Sequence, residues 1–241
     1  MKFILFLLLF ITLNASTASF NKSKKQLKKV YRGHQVTFYA DCKYNYKNKK
    51  NMIDRKSCGY KPRNERTKKG NVNQRARRIE WEHVIPAENF GRQFSCWRDG
   101  NSKCVKKSGK KYKGRKCCSK VNKKFKSMEA DMHNLVPAIG ELNADRSNFR
   151  FGMIAGEQRR YGNSIDFEID FKKRRAEPKD DIKGNIARTY FYFEDRYGMK
   201  ISKKDKKLLK AWDKLDPVDK WELERNKRIT KVQGNGNKFI Q

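Results

Sequence analysis

Arg78-Ile79-Glu80-Trp81-Glu82-His83-Val84-Ile85-Pro86 is the stretch on which the rest of the chain turns. It is a β-prone run with a carboxylate beside a histidine, closed by a proline that lacks an amide donor and so stops the strand near its edge. Neighbours on a strand point to opposite faces, so Glu82 and His83 border one site only if the strand breaks or twists around Glu82. A carboxylate is a hard oxygen ligand suited to Mg²⁺, which takes few protein ligands and keeps its waters. An imidazole accepts a proton near neutral pH. Taken alone, the dipeptide fits a strand-edge pair without chemistry at least as well. About sixty residues later a second polar cluster ends in Glu141-Leu142-Asn143-Ala144-Asp145-Arg146-Ser147-Asn148. The expectation is that the two clusters meet and hold one divalent ion for cutting nucleic acid.

The start of the chain indicates export. Met1-Lys2 precedes the apolar run Phe3–Leu13, and small residues follow at Ala15, Ser16, Ala18 and Ser19. That pattern predicts a signal peptide over 1–19, cleaved near Ala18 or Ser19, with the mature protein at 20–241. The run is shorter than the ~20 apolar residues of a spanning helix, and no other run is longer, so no membrane span is expected. The product is expected in the periplasm or outside the cell.

Sixty Lys and Arg against 26 Asp and Glu give a formal charge of +34. A balance this basic points to a polyanionic partner, most simply nucleic acid. It does not separate binding from catalysis, nor from a basic surface that serves solubility or an anionic envelope. Hydrophobic content is 37%, so the core leans on aromatics and cross-links. Six cysteines in an exported chain favour disulfides over metal thiolates, with fifteen pairings open. Adjacent Cys117 and Cys118 are not expected to bond to each other.

Ser23 reads as the cap of a basic helix over 23–31, ended by Gly33, and Gln35–Tyr39 reads as a strand. Residues 43–77 read as a polar loop. Residues 98–124, dense in Lys and Arg with almost no aliphatic side chains, read as an exposed loop that cannot pack as a core element. Helical spacing runs over 123–135 and stops before Pro137, and a second helical segment begins at Ala138. Asp166–Phe171 alternates as a strand. Helices follow over 185–197, over 203–214 behind the cap Ser202, and from the cap Asp216 with Pro217 at the first position to about Val232. The overall expectation is one mixed α+β domain.

Arg78–Ala87, Met128–Phe149, Gly184–Tyr190, Ala211–Lys214 and Lys231–Asn237 together resemble the endonuclease I family of secreted and periplasmic bacterial nucleases. The likeness covers nearly the whole mature chain in order. It implies a disulfide-stapled ββα-metal fold in which a strand carrying the histidine faces a helix carrying the second ligand. Carried over by position, Glu82 and Asn143 are the metal ligands, His83 is the general base, and Arg115 steadies the phosphate, with Arg98 and Lys116 as rivals. Glu129 is a supporting residue around these. The implied cofactor is Mg²⁺ or another divalent ion. The implied substrates are double- and single-stranded DNA, with RNA as a further one, cut to 5′-phosphate ends by a monomer. Set beside the family pattern, the expected disulfides are Cys42–Cys58, Cys96–Cys118 and Cys104–Cys117. Ala40 and Leu223 stand where family members carry a further cysteine pair. An insertion falls around 103–113, and the whole basic segment 98–124 reads as a phosphate-gripping arm in preference to a solvated charge run.

Bland readings stand beside these. Asn143 can be a helix-end cap, and Asp145, Arg146 and Asn148 read as residues that lock the following loop. His133 reads as a packed structural histidine, and Trp81 and Trp97 as core aromatics. A secreted basic DNA-binding protein without turnover, and a cationic protein acting on membranes, are the rival functions; no long amphipathic basic helix supports the second.

Overall fold

The computed structural model describes residues 19–46, 51–156 and 158–241. The expected leader lies outside them, apart from Ser19. Among the described residues the elements in order are α1 (Phe20–Val30), β1 (Ile79–His83), α2 (Ala87–Gly91), α3 (Ser95–Arg98), α4 (Arg115–Val121), α5 (Lys123–Ala130), β2 (Leu135–Ile139) and α6 (Gly140–Arg146). Then come β3 (Arg150–Phe151), β4 (Phe167–Asp170), β5 (Arg175–Pro178), α7 (Lys183–Tyr197), α8 (Lys203–Leu215) and α9 (Lys220–Gln233). Helix and sheet are thus mixed, as the sequence implies.

The organising run forms β1, which pairs antiparallel with β2 in the register Ile79↔Ile139 to His83↔Leu135. The sequence reading placed helix on both sides of Pro137; the structure puts Pro137 in the middle of a strand opposite Trp81. All five residues of β2 are buried, so it shows no polar/apolar alternation to read. A two-stranded ribbon also tolerates a proline, whose missing donor faces an edge that carries no ladder. The carbonyl of Pro137 instead accepts the amide of Phe38 at 2.8 Å. That bond and one bridge, Val36↔Lys43, are what the expected strand 35–39 becomes.

The ribbon sits where three apolar clusters meet. Val84, Val136, Ala138 and Ile139 face one built on Tyr39, Phe167, Ile186 and Trp212. Ile85 faces another built on Phe90, Phe125, Met128 and Phe193, and Leu135 a third with Leu27, Val30 and Ile229. A second sheet, in the order β3-β5-β4, closes the first cluster.

Three helix starts differ from the sequence reading or sharpen it. The first helix is capped by Ser19, not Ser23, and Ser23 lies inside it, donating its hydroxyl to Ala130 O at 2.5 Å and so tying α1 to the end of α5. Ser202 caps α8 as expected, accepting the Asp205 amide at 3.1 Å. The last helix starts at Lys220 behind Asp219, which accepts the Glu222 amide at 2.7 Å, not behind Asp216-Pro217. Asp216 is taken by α7: its carboxylate accepts the Gly184 amide and its carbonyl accepts Arg188, both at 2.8 Å.

The segment 98–124 is not all exposed loop. Cys104, Cys117 and Cys118 are fully buried in the second cluster, and Arg115–Val121 is a helix. The disulfides are Cys42–Cys58, Cys96–Cys118 and Cys104–Cys117. Paired sulfurs supply the apolar contact that the lysines flanking them cannot. Replacing Cys104 and Cys117 by serine is expected to cost about 2–4 kcal/mol. The check is the thermal midpoint, with an expected fall of about 5–15 °C for a chain of this size; an unchanged midpoint would show the bridge to be decorative.

Candidate active site

Glu80 and Glu82 lie two apart on β1 and share a face; helix α6 lies across that face. Its first residue is Gly140 because nothing larger fits: a Cβ there would lie 2.8 Å from Arg75 O and 3.1 Å from the Glu80 carboxylate. The helix is pinned at its start by Glu141, whose carboxylate accepts the Tyr60 hydroxyl at 2.6 Å and the amides of Arg63 and Asn64 at 3.0 and 2.9 Å. Asp145 holds Arg63 at 2.8 Å and Tyr161 at 2.8 Å. Two acidic residues of α6 therefore hold the loop 60–73, which precedes the helix in sequence, whereas the sequence expects Asp145 to lock the loop that follows it.

Asn143 projects from the middle of this helix. Its Nδ2 donates to Glu80 Oε2 at 3.0 Å, and Glu80 is itself held by Arg75 Nε at 3.0 Å. An amide that donates to a carboxylate turns its Oδ1 the other way. Glu80 thereby sets which atom Asn143 offers, a role the sequence reading did not assign. The signal was present: Glu80 is two residues from Glu82, on the same side of the strand.

Arg146 is the larger departure. It was read as a loop lock; it points inward and is fully buried. Its guanidinium donates to Glu82 Oε1 at 2.9 Å, to His83 O at 3.0 Å and to Val84 O, with its flat face on Phe151 at 4.5 Å. It binds the strand on both sides of the Glu82–His83 peptide. Burial pushes the Glu82 carboxyl up to about 7, against the pull of the Arg146 charge.

His83 leaves the opposite face of the strand. The ladder with β2 runs unbroken through both residues, so of the two conditions, a break or a twist around Glu82, the break does not occur. Its Nε2 lies 2.8 Å from Glu129 O. A carbonyl has no proton to give, so Nε2 carries the hydrogen and Nδ1 keeps its lone pair. The Phe20 ring covers the imidazole at 4.9 Å, and Phe90 stands at 6.3 Å. Burial first, then the Arg115 charge, hold its pKa down at about 3, so the ring is neutral at physiological pH.

Glu129 serves two residues at once. While its carbonyl orients His83, its carboxylate accepts Arg115 Nε at 2.5 Å and the Ser119 hydroxyl at 2.7 Å. Arg115, at the start of α4, is 44% exposed in its side chain, and Phe20 lies against its guanidinium at 5.1 Å. Among the rivals, Arg98 turns away to Arg92 O at 2.7 Å. The sequence-predicted residues thus fall into two groups, Glu82 with Asn143 on the α6 side and His83 with Glu129 and Arg115 on the α4–α5 side. They join at the Glu82–His83 peptide. His133 hydrogen-bonds Asn235 O at 3.0 Å and packs on Tyr192, a structural part. Trp81 packs edge-on to Tyr31 and Trp97 against Phe125.

The donor set fits a hard divalent ion: a carboxylate and an amide oxygen on facing elements, with the amide oriented by its own hydrogen bond. Among the described residues no three His, Cys, Asp or Glu side chains converge.

The family model for endonuclease I matches residues 12–241. An extracellular deoxyribonuclease of Aeromonas hydrophila is 45% identical over 224 residues, covering 92% of this chain and 88% of that protein. A periplasmic deoxyribonuclease of the same species is 45% identical over 92% of this chain and 85% of its own length. Endonuclease-1 of Buchnera aphidicola subsp. Acyrthosiphon pisum is 42% identical over 88% of this chain and 76% of its own. Likeness at this level over 92% of the chain comes from common descent: the chain belongs to the endonuclease I family, and it is a nuclease.

Proposed function

We propose that this protein is an exported endonuclease that hydrolyses DNA without sequence preference, using one Mg²⁺ at a ββα-metal site and leaving 5′-phosphate ends. The observation that carries the reading is Glu129, which orients the His83 imidazole with its carbonyl and the Arg115 guanidinium with its carboxylate. A base and a phosphate-binding cation are set by one residue. The relatives named as extracellular and periplasmic deoxyribonucleases support both the DNA substrate and the export. Among the described residues no helix is long and apolar enough to cross a membrane.

In this reading Glu82 and Asn143 Oδ1 would hold the ion, which on binding would supply positive charge to the phosphate oxygens and polarise the bond to the leaving oxygen. Arg115 binds a non-bridging oxygen through its remaining donors. His83 Nδ1 takes a proton from the attacking water while Nε2–H holds the ring against Glu129 O. A phosphate anion opposite Arg115 offsets the charge that depresses His83, so the imidazole becomes more basic as substrate arrives. Water adds to phosphorus, the 3′ oxygen leaves with a proton from solvent, and the phosphate stays on the 5′ side. A grip on the backbone carries little base information, so single strands and RNA are expected as further substrates.

The test is supercoiled plasmid with Mg²⁺ or with EDTA, followed by ligation of the fragments. The expected result is metal-dependent nicking that leaves ends joinable without added phosphate. Retarded but uncut plasmid would reduce the protein to a DNA binder, and 3′-phosphate ends would overturn the geometry. Ion binding should also depend on pH. Glu82 is protonated below about 7 in the metal-free protein and must lose that proton to ligate. The affinity for Mn²⁺ is therefore expected to fall about tenfold per pH unit below about 7 and to level off above it. Calorimetric titration from pH 5.5 to 8 checks this; a flat profile would remove Glu82 from the ligand set.

A further inference from the structure

The segment Asn101–Gly114 contains Lys103, Lys106, Lys107, Lys110, Lys111 and Lys113, and no acidic residue occurs between Asp99 and Glu129. It is an ordered hairpin. Val105 bridges Lys111, the Lys106 amide donates to Lys110 O at 2.9 Å and Tyr112 to Cys104 O at 2.9 Å, with Gly109 taking the positive φ of the turn. The root is fixed three ways: by Cys104–Cys117, by the Gly114 amide on Trp97 O at 3.1 Å, and by Lys120 Nζ on Lys103 O at 2.6 Å. The six lysines are exposed, and none forms an ion pair among the described residues. Among the described residues few lysines pair with a carboxylate, Lys179, Lys183, Lys206 and Lys238 among them, so what sets the hairpin apart is that six unpaired lysines stand together on one ordered, disulfide-rooted turn. A hairpin that holds six like charges together without counter-charge presents a concentrated positive field to a polyanion.

We infer that the disulfide-rooted lysine hairpin 101–114 is a second nucleic-acid binding site, an arm that grips the phosphate backbone beside the cleaved bond and sets how strongly and how salt-sensitively long substrates are held. This rests on the nuclease reading for its ligand. The root places it: the hairpin ends at Gly114, and the next residue is Arg115, whose Nε is on Glu129. An arm of about four residues per strand reaches about 13 Å. With one phosphate per about 3.4 Å along a strand, it spans three or four phosphates beyond the one at Arg115. Lysine suits such a task, since a flexible point charge follows a backbone without demanding one geometry. The arm therefore adds affinity and length preference without adding sequence choice.

The variant is Lys106→Gln, Lys107→Gln, Lys110→Gln and Lys111→Gln together, all surface changes that leave the core untouched. Binding is measured in the His83→Ala background, without cleavage, to a 30-base-pair duplex and to a trinucleotide at 50–200 mM salt. Each phosphate contact contributes about 0.9 to the slope of log affinity against log salt. The slope for the duplex is expected to fall by about 3–4 and the affinity at 150 mM salt by at least tenfold, while trinucleotide binding stays within twofold. In the active background KM for long DNA rises and kcat holds. An unchanged salt slope overturns the arm and leaves a solvated charge run. Loss of binding to anionic phospholipid vesicles, with DNA binding intact, overturns it in favour of an envelope contact. If the active parent binds DNA with the expected slope and never cuts it, the nuclease reading fails and the arm survives.

Discussion

Plasmid nicking by His83→Ala is expected to run about 10²–10⁴-fold slower than in the wild type, the range that removing a positioned general base produces. Duplex affinity should hold within a few fold, because the lysines and Arg115 that contact phosphates are untouched. One tautomer of the imidazole decides this outcome. Nε2 is committed to Glu129 O at 2.8 Å, so Nδ1 is the nitrogen free to accept. Burial and the nearby guanidinium keep the ring neutral with a pKa of about 3, so protonation of the free enzyme does not remove it from service above pH 4. His83→Gln, which can donate to the same carbonyl but is not a base, should fold as the wild type does and remain as slow as the alanine variant. Nicking at the wild-type rate by either variant would move the base elsewhere.

Arg146→Met is expected to abolish activity and to destabilise the fold together. The side chain is fully buried and serves Glu82, two carbonyls of the strand and the face of Phe151. Removing one partner of a buried pair costs about 3–5 kcal/mol: Glu82 loses the charge that opposes its burial and takes up a proton, and the His83 and Val84 carbonyls lose their donor. At about 2–4 °C per kcal/mol for a chain this long, the thermal midpoint should drop by about 6–20 °C. Lysine should not rescue it, because a single ammonium cannot reach three acceptors arranged around a planar fork. Arg146→Met combined with Glu82→Gln separates the two effects: it replaces the buried ionisable carboxyl with a neutral amide, so stability should recover in part while activity stays lost. A wild-type midpoint in the single variant would mean that the guanidinium is dispensable to the strand.

Neither residue was equally visible in the sequence. His83 stands beside Glu82 in a run that any reading stops at, and the family resemblance names both. Arg146 is one of 60 basic residues, three past Asn143 on a helix. Nothing local distinguishes an arginine that turns inward from the many that stay in water. Its direction follows from what the ribbon lacks, a donor for two carbonyls and a carboxylate, and that shortage exists only once β1 is paired. Glu80 is a similar case, since its value lies in the amide across from it. Phe20 is another: sequence makes it the start of a basic helix, and packing makes it the cover over His83 and Arg115.

What the sequence determined by itself is what depends on residue type and short spacing. The basic charge, the cap at Ser202, the strand through Glu82 and His83 and the resemblance that carries the family all belong here. What the tertiary structure alone decided depends on neighbours far along the chain. Leu135–Ile139 becomes a strand in spite of Pro137 because its partner, fifty-odd residues earlier, supplies the ladder and three apolar clusters bury both its faces. Asp216 gives up the cap to Asp219 because Gly184 and Arg188 reach it first. Local propensities amount to fractions of a kcal/mol per residue, whereas a buried guanidinium or a closed ladder is worth several. Where the two disagree, the long-range term sets the outcome.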